Sequence, residues 1–372
     1  MNSLFFDLIR ISIGGGNSFS KQPSADEWSV LYKMSVKQSL VGICFAGVSH
    51  LKKTSSPQFS TLNSQLYFKW LGTASHIQER NEWMNKRCAE FEKKLLEESF
   101  KSCILKGQGI AALYGHLNGL RQPGDIDTWA LGEPEDVIEW ARKTGKMTFY
   151  DYHHADLSLY KDTDIELHYR PTLSRNFLRN ARLQKWIKEE GEKHVVFKKD
   201  IGFTVPDYVF NVILTLNHNF WHLMYEGVGF RQLLDLFFVL RSVDNSEQDM
   251  EQVQEEVSKL IKRFHLQRFA AASMWIMKDV LGLEERYMIC HPDVKAGRFL
   301  LDEIMQSGNF GKFDKRLNKD RYQSRIGLMF SWMKHNLRLV KYYPADVLWT
   351  PIGVLGISLW RRWHYRNESD LK

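Results

Sequence analysis

Apolar positions recur at three- and four-residue spacing over the first hundred residues and again beyond residue 206, and the pattern changes between them. Leu4, Leu8 and Ile11 share one face of an amphipathic opening helix. Trp28, Leu31, Val36 and Leu40 form the inner face of a helix predicted over Glu27 to Val48. Leu66 to Ser99, rich in Glu, Lys, Leu and Ala, predicts one long helix or two joined helices. Beyond Pro206 the stretches Val209–Met224, Phe230–Arg241, Gln248–Phe264 and Phe269–Leu281 read as helices.

Near residue 100 the period shortens. Ser102 to Leu105 predicts a strand entering a tight turn at Lys106-Gly107, and Ile110 to Leu117 a helix. Gln122-Pro123-Gly124 is turn chemistry, and Asp125 to Leu131 alternates as a strand does. A helix is predicted over Glu135–Lys143. A hairpin follows, with arms Asp156–Tyr160 and Ile165–Tyr169 around a turn at Lys161-Asp162-Thr163. The class is α+β, divided into a helical region over 1–98, an α/β core over 99–200 and a helical region over 201–372.

The 372 residues, 44% hydrophobic and 26% charged, fit a globular protein and exclude disordered and collagen-like chains. Twelve Trp and 23 Phe predict helices packed through large aromatic side chains. The four cysteines form no CxxC, which excludes a zinc ribbon or thioredoxin-type motif and suits a reducing cytoplasm. Cys290-His291 reads as packing and a cap. A net charge of +7 favours anionic partners such as nucleotides, nucleic acid or acidic lipids. Asp7 and Arg10 interrupt the apolar N-terminus, so it does not read as a signal-peptide core. The run from Val347 to Trp360 contains Pro351 and is shorter than the about 20 residues that span a bilayer. It is expected to pack on the core. Its second reading is peripheral membrane contact, with Arg361 and Arg362 facing headgroups.

The candidate chemistry centres on Gly124-Asp125-Ile126-Asp127. On a strand, residues two apart point the same way, so two carboxylates project together, roughly 7 Å apart at Cα. Like charges so placed call for cations, and a pair of divalent ions answers that need. A bare pair of this kind is most often a solvated junction between turn and strand. Ile165-Glu166-Leu167-His168-Tyr169 changes the weighing: Glu166 and His168 share a face, and on a neighbouring strand Glu166 supplies a third carboxylate. Asp164 is its fallback, with Asp156 and Asp162 behind. Upstream, Lys106-Gly107-Gln108-Gly109 opens a helix whose N–H groups can bind phosphate, with Lys106 and Arg121 adding charge.

This order of motifs resembles the nucleotidyltransferase superfamily. It is most similar to the uncharacterised nucleotidyltransferase family, a branch found in bacterial genomes, including polysaccharide-locus neighbourhoods. The opening Leu4–Ile13 helix, Asp26-Glu27-Trp28, and Pro206-Asp207 followed by His218, His222, Arg231 and Leu234-Asp235-Leu236 are similar to that branch too. The resemblance implies a small mixed sheet of polymerase-beta-like type flanked by helices. It also implies two catalytic Mg²⁺ ions (or Mn²⁺ in their place) on Asp125, Asp127 and Glu166, and Gly107 on the phosphate turn. Gln108 departs from the Gly or Ser common at that position.

The same residues carry competing readings. Gly107-Gln108-Gly109-Ile110-Ala111-Ala112 also fits the dinucleotide fingerprint G-x-G-x-x-A, but little βαβ alternation follows it. His218 and His222 have zinc-protease spacing without its Glu, and read as packing or as facing the cleft or Asp235. Gly14-Gly15-Gly16 lacks the Lys of a P-loop and reads as a helix end. Arg175, Arg179, Arg182 and Lys185, and Lys312, Lys315, Arg316, Lys319, Arg321 and Arg325, read as solvated faces, or as a phosphate track if they flank one cleft.

The sequence therefore points to a cytoplasmic, Mg²⁺-dependent nucleotidyltransferase. It moves an NMP from an NTP to an acceptor hydroxyl, with Lys106, Gly107, Gln108 and Arg121 on the nucleotide. Glu166 also helps to deprotonate the acceptor. His168, His218, His222 and Arg231 stand on the substrate side. The acceptor is a sugar or polysaccharide precursor, RNA or protein. Two alternatives stand beside this reading: a degenerate relative that binds a nucleotide or partner, and a toxin-like enzyme modifying tRNA or protein. A small-sugar acceptor predicts a closed pocket lined by aromatics of the helical part.

Overall fold

The computed structural model describes residues 2–245, 249–316 and 333–364. The chain is α+β, with a small mixed sheet held between helices. Helix α1 (Asn2–Ser12) buries Leu4, Phe5, Leu8 and Ile9, and Gly14 then turns the chain at φ 79°. The helix predicted over Glu27–Val48 is two, α2 (Ala25–Lys37) and α3 (Val41–Lys53), separated at Ser39 with φ 54°. The break places the Gln38 side chain in the interior. It donates to Ile304 O (3.1 Å) and accepts from Phe230 N–H (2.8 Å), tying the N-terminal helices to the C-terminal ones. Helix α4 (Ser64–Glu97) is continuous for 34 residues. Its buried stripe, Trp70, Ala74, Ile77, Asn81, Met84, Cys88, Phe91 and Leu95, alternates steps of four and three, which keeps one face inward.

Five strands follow in the order β1-β2-β5-β4-β3: β1 (Lys101–Ile104), β2 (Ile126–Leu131), β3 (Met147–Tyr150), β4 (His154–Leu157) and β5 (Ile165–His168). β2 runs antiparallel to β1 and parallel to β5, and β4 pairs antiparallel with β3 and β5. Between β1 and β2 lie the short α5 (Lys106–Ala111) and a 3₁₀ segment (Ala112–Leu120), and α6 (Pro134–Lys143) follows β2. The predicted hairpin is β4–β5. The reading of the sequence missed β3 and a second hairpin, β6 (Val195–Lys198) with β7 (Phe203–Pro206). All three are as short as β1, β4 and β5, but β3 and β6 lie partly exposed, so their apolar residues do not mark a buried face.

Helix α7 (Phe177–Glu190) precedes that hairpin. Then come α8 (Tyr208–Tyr225) and α9 (Phe230–Arg241), buried almost throughout. Around them lie α10 (Met250–Arg263), α11 (Gln267–Trp275), α12 (Val294–Ser307) and α13 (Pro344–His364). α13 packs inward through Thr350, Gly353 and Trp360. A Cβ on Gly353 would stand 2.4 Å from Arg175 O, and Trp360 meets the Tyr150 ring edge-on. Leu348, Ile352, Leu355, Leu359 and Trp363 form an exposed outer stripe. No helix among the described residues is long and apolar enough to cross a membrane. Lys319, Arg321 and Arg325 lie outside the described residues.

The β6–β7 hairpin is pinned to α8 by charge. Asp207 caps α8 by accepting from Phe210 N–H (2.9 Å), and its other oxygen meets His194 Nδ1 at 2.8 Å. Burial opposes the charged imidazole, but Asp207 and then Glu256 outweigh it and raise the His194 pKa. A raised folded-state pKa stabilises fully below the ordinary histidine value and is lost as pH rises through the raised one. Wild type should therefore exceed His194→Gln in urea-unfolding stability at about pH 6, with the gap narrowing as pH rises above the ordinary histidine range.

Candidate active site

The parallel pairing of β2 with β5 sets Asp127 opposite Glu166 and Trp129 opposite His168. His168 Nε2 lies 2.8 Å from Asp127 Oδ1 and 3.4 Å from Glu166 Oε2. Asp127, Glu166 and His168 bring ligand atoms within 4.8 Å of one another. Asp125 sits just before β2 and is exposed at the pocket lip, and among the described residues it has no side-chain partner. The two aspartates thus differ in setting: Asp127 is 6% exposed and committed, Asp125 open. Asp162 pairs with Arg87 away from the site, and Asp156, on β4 opposite Glu166, holds His154 at 3.1 Å. Asp164 gives its backbone carbonyl to Ile126 N–H.

The turn before α5 brings a cation to this cluster. Lys106 Nζ lies 2.5 Å from Asp127 Oδ1. Lys106 adopts φ 34°, a left-handed conformation that costs a non-glycine residue energy and is characteristic of functional sites. Gly107 lines the pocket. Gly109 is needed for packing, because a Cβ there would stand 2.3 Å from Ile104 O. Gln108 does not line the pocket; it is buried, and its amide donates to Asn85 Oδ1 at 2.7 Å on α4. The dinucleotide reading of this turn fails, since β1 and β2 are antiparallel and no parallel βαβ unit exists there.

Asn81 of α4 shapes the loop ahead of Asp125 by donating to Gly119 O (2.9 Å) and Arg121 O (2.8 Å). Arg121 is buried in a two-pronged pair with Asp235 (2.7 and 2.8 Å), whose Oδ1 also accepts from Tyr114 (2.7 Å). His218 and His222 are not on Asp235: His222 Nδ1 meets Glu226 Oε2 at 3.0 Å, and its Nε2 meets His218 Nε2 at 2.9 Å. Burial lowers the pKa of both imidazoles, and both line the pocket.

The pocket encloses about 830 Å³. Arg231 donates to Gln122 O (2.9 Å), and its guanidinium lies 5.6 Å from the Phe310 ring centre. Arg175, assigned from helical spacing to a solvated face, instead lies 3.9 Å over the Tyr225 ring at the pocket wall. Its companions Arg179 and Arg182 face elsewhere, onto Asp346 and His265. Among the described residues neither Arg175 nor Arg231 is within ion-pair distance of a carboxylate, and burial lowers the pKa of both. A buried cation (Arg231) and a half-buried one (Arg175) without a counterion call for an anionic ligand.

The sequence reading also missed His153 and His154, which enter β4 beside the cluster and line the pocket. Their adjacency to each other and to an alternating strand was the available signal.

The carboxylates are tuned apart. Desolvation, followed by the charges of Asp127 and Glu166, pushes Asp125 up to about 6. Burial works against the Asp127 and Glu166 carboxylates as well, but Lys106 and His168 outweigh it and hold both below the usual range. Burial opposes the Lys106 ammonium too, yet Asp127 and Glu166 keep its pKa raised. Such opposed settings are typical of catalytic clusters.

No curated protein and no solved structure matches the chain. The family model described as uncharacterised nucleotidyltransferase matches residues 24–282, which include the turn, the acidic cluster and the helices carrying His218, His222, Arg231 and Asp235. With well over half of its length matched, the chain belongs to the uncharacterised nucleotidyltransferase family.

Proposed function

We propose that this pocket transfers a nucleoside monophosphate from an NTP to the hydroxyl of a small acceptor. The observation that carries the reading is the opposition of Asp127 and Glu166 across β2 and β5, beside Asp125, in a pocket whose other walls present unneutralised arginines. The donor set suits a hard divalent cation: the Asp127 and Glu166 carboxylates lie together, Asp125 lines the same pocket, and Asp127 already binds the Lys106 ammonium. Asp125, Asp127 and Glu166 would hold Mg²⁺, or Mn²⁺ in its place. When bound, such ions neutralise phosphate charge and acidify the attacking hydroxyl.

The remaining work falls to the chain. Arg231 and Lys312 draw the triphosphate in, with the Gly107 turn close beside it. The acceptor oxygen forms a bond to the α-phosphorus as the bond to the bridging oxygen breaks, and pyrophosphate leaves with that electron pair. The hydroxyl proton passes to a carboxylate. Glu166 is engaged by His168, whereas Asp125 has no side-chain partner among the described residues, so this role falls to Asp125. Positioning and charge neutralisation supply most of the rate. Trp221, Tyr225, Phe149 and Phe310 on the walls favour a sugar-containing acceptor over RNA or protein. Gln108 donates to Asn85 on α4 and does not line the pocket, which favours an active enzyme over a degenerate relative.

Calorimetric titration of ATP, CTP, GTP and UTP with and without Mg²⁺ tests the reading. One nucleotide is expected to bind only with the metal, and to release pyrophosphate when the right sugar acceptor is added. Well-folded protein that binds no NTP under either condition would sink it.

A further inference from the structure

We propose a second metal site beside the acidic cluster, a nitrogen-rich site for a late first-row divalent cation such as Zn²⁺, built from His153, His154 and His168. Each of these rings offers a ligand atom within 4.8 Å of the others, and their centres are 4.2, 5.4 and 5.5 Å apart.

The contacts show which nitrogens face a carboxylate. His153 Nδ1 faces Asp151 Oδ1 at 2.8 Å, leaving Nε2. His154 Nε2 faces Asp156 Oδ1 at 3.1 Å, leaving Nδ1, which is also 3.5 Å from Asp151 Oδ1. The two remaining atoms, His153 Nε2 and His154 Nδ1, lie 3.0 Å apart. Two nitrogens bound at about 2.0–2.1 Å to one tetrahedral zinc are separated by roughly 3.3–3.4 Å, so a small ring adjustment admits the ion. On His168, Nε2 is taken by Asp127 and Glu166, while Nδ1 is buried with no partner, although the residue is only 1% exposed. A buried ring nitrogen left unpartnered costs free energy unless something binds it.

Each histidine therefore has one nitrogen facing a carboxylate, the arrangement that orients metal-binding imidazoles. Among the described residues, the other nitrogens of His153 and His154 meet only each other and the rim of Asp151, and that of His168 has no partner. Charge favours a cation as well. Asp127, Asp151, Asp156 and Glu166 touch the rings, against Lys106 on Asp127 and Arg361 on Asp151. Imidazole nitrogen suits zinc, cobalt or copper better than magnesium. The site thus differs in ligand chemistry from the proposed carboxylate site. It shares His168 with that site, and a cation on Nδ1 would strengthen the hold of Nε2–H on Asp127 and Glu166.

The test uses the full chain, stripped by chelator and titrated with Co²⁺ in excess Mg²⁺, read by visible absorption. One Co²⁺ per chain with a tetrahedral spectrum is expected. Binding should weaken at least about tenfold in His153→Gln and in His154→Gln, and roughly 10–100-fold in Asp151→Asn, which takes away the carboxylate charge facing His153 and Arg361. Asp125→Asn should bind Co²⁺ as wild type does. The proposal is overturned if Co²⁺ fails to bind over Mg²⁺, if both histidine variants bind normally, or if Asp125→Asn abolishes the spectrum and so assigns the ion to the acidic site. Should the variants unfold, X-ray absorption of zinc-loaded wild type decides: imidazole scattering supports the site and its absence overturns it. None of these readouts depends on nucleotidyl transfer.

Discussion

Asp127→Asn is expected to remove Mg²⁺-dependent nucleotide binding and to lower transfer by about 10²–10³-fold or more, the scale on which losing one key electrostatic group acts. Asp127 is the buried centre of the cluster. It meets Lys106 at 2.5 Å and His168 at 2.8 Å, and stands opposite Glu166 in the sheet. An amide keeps the shape but takes away the charge that any cation there must meet. The fold should survive, because Lys106 still experiences Glu166 and Asp125 and is not left as a lone buried charge. A thermal melt checks this alongside the titration. Metal-dependent binding that persists unchanged in a folded Asp127→Asn protein would remove Asp127 from the site and the proposed chemistry with it.

The largest loss of stability is expected from Arg121→Met. Arg121 and Asp235, with side chains 4% and 7% exposed, bind each other through two hydrogen bonds, and Tyr114 adds a third to Asp235. Removing one member of a buried pair leaves the other charge desolvated, at a cost of about 3–5 kcal/mol. Urea unfolding of Arg121→Met should show that loss, and Arg121→Met/Asp235→Leu should regain part of it, because no orphan charge remains. The pair fastens the loop before Asp125 to α9, and Arg121 also lines the pocket, so positioning is the role its pairing with Asp235 leads us to expect first. Stability left intact, with nucleotide binding gone, would restore the direct phosphate role that the sequence suggested.

How legible this was varied with the physics of each element. The stripe of α4 and the alternation of β2 and β5 are local periodicities, and they were readable. Ser39 was not: nothing near it breaks a helix strongly, and the break is held by Gln38 reaching Ile304 and Phe230, far away in sequence. β3 and β6 were missed because they lie partly exposed, so their apolar residues mark no buried face, and β7 because its partner is β6. Arg175 was misplaced because its helical spacing says nothing of which neighbour covers it, and here Tyr225 and α13 do. His153 and His154 gained meaning only when β4 was laid beside β5.

By itself, then, the sequence determined the class, the order of elements and the chemical types near the site. Those follow from short-range patterning and from the Lys-Gly turn, the Asp-Ile-Asp strand and the Glu-Leu-His strand. Only the tertiary structure decided which groups hold each other. It set Lys106 on Asp127, Arg121 on Asp235, Gln108 on Asn85 and the third histidine against the first two. The reason is that strand pairing and helix packing join residues distant along the chain, and the energy of a buried charge depends on the partner it finds there rather than on its sequence neighbours.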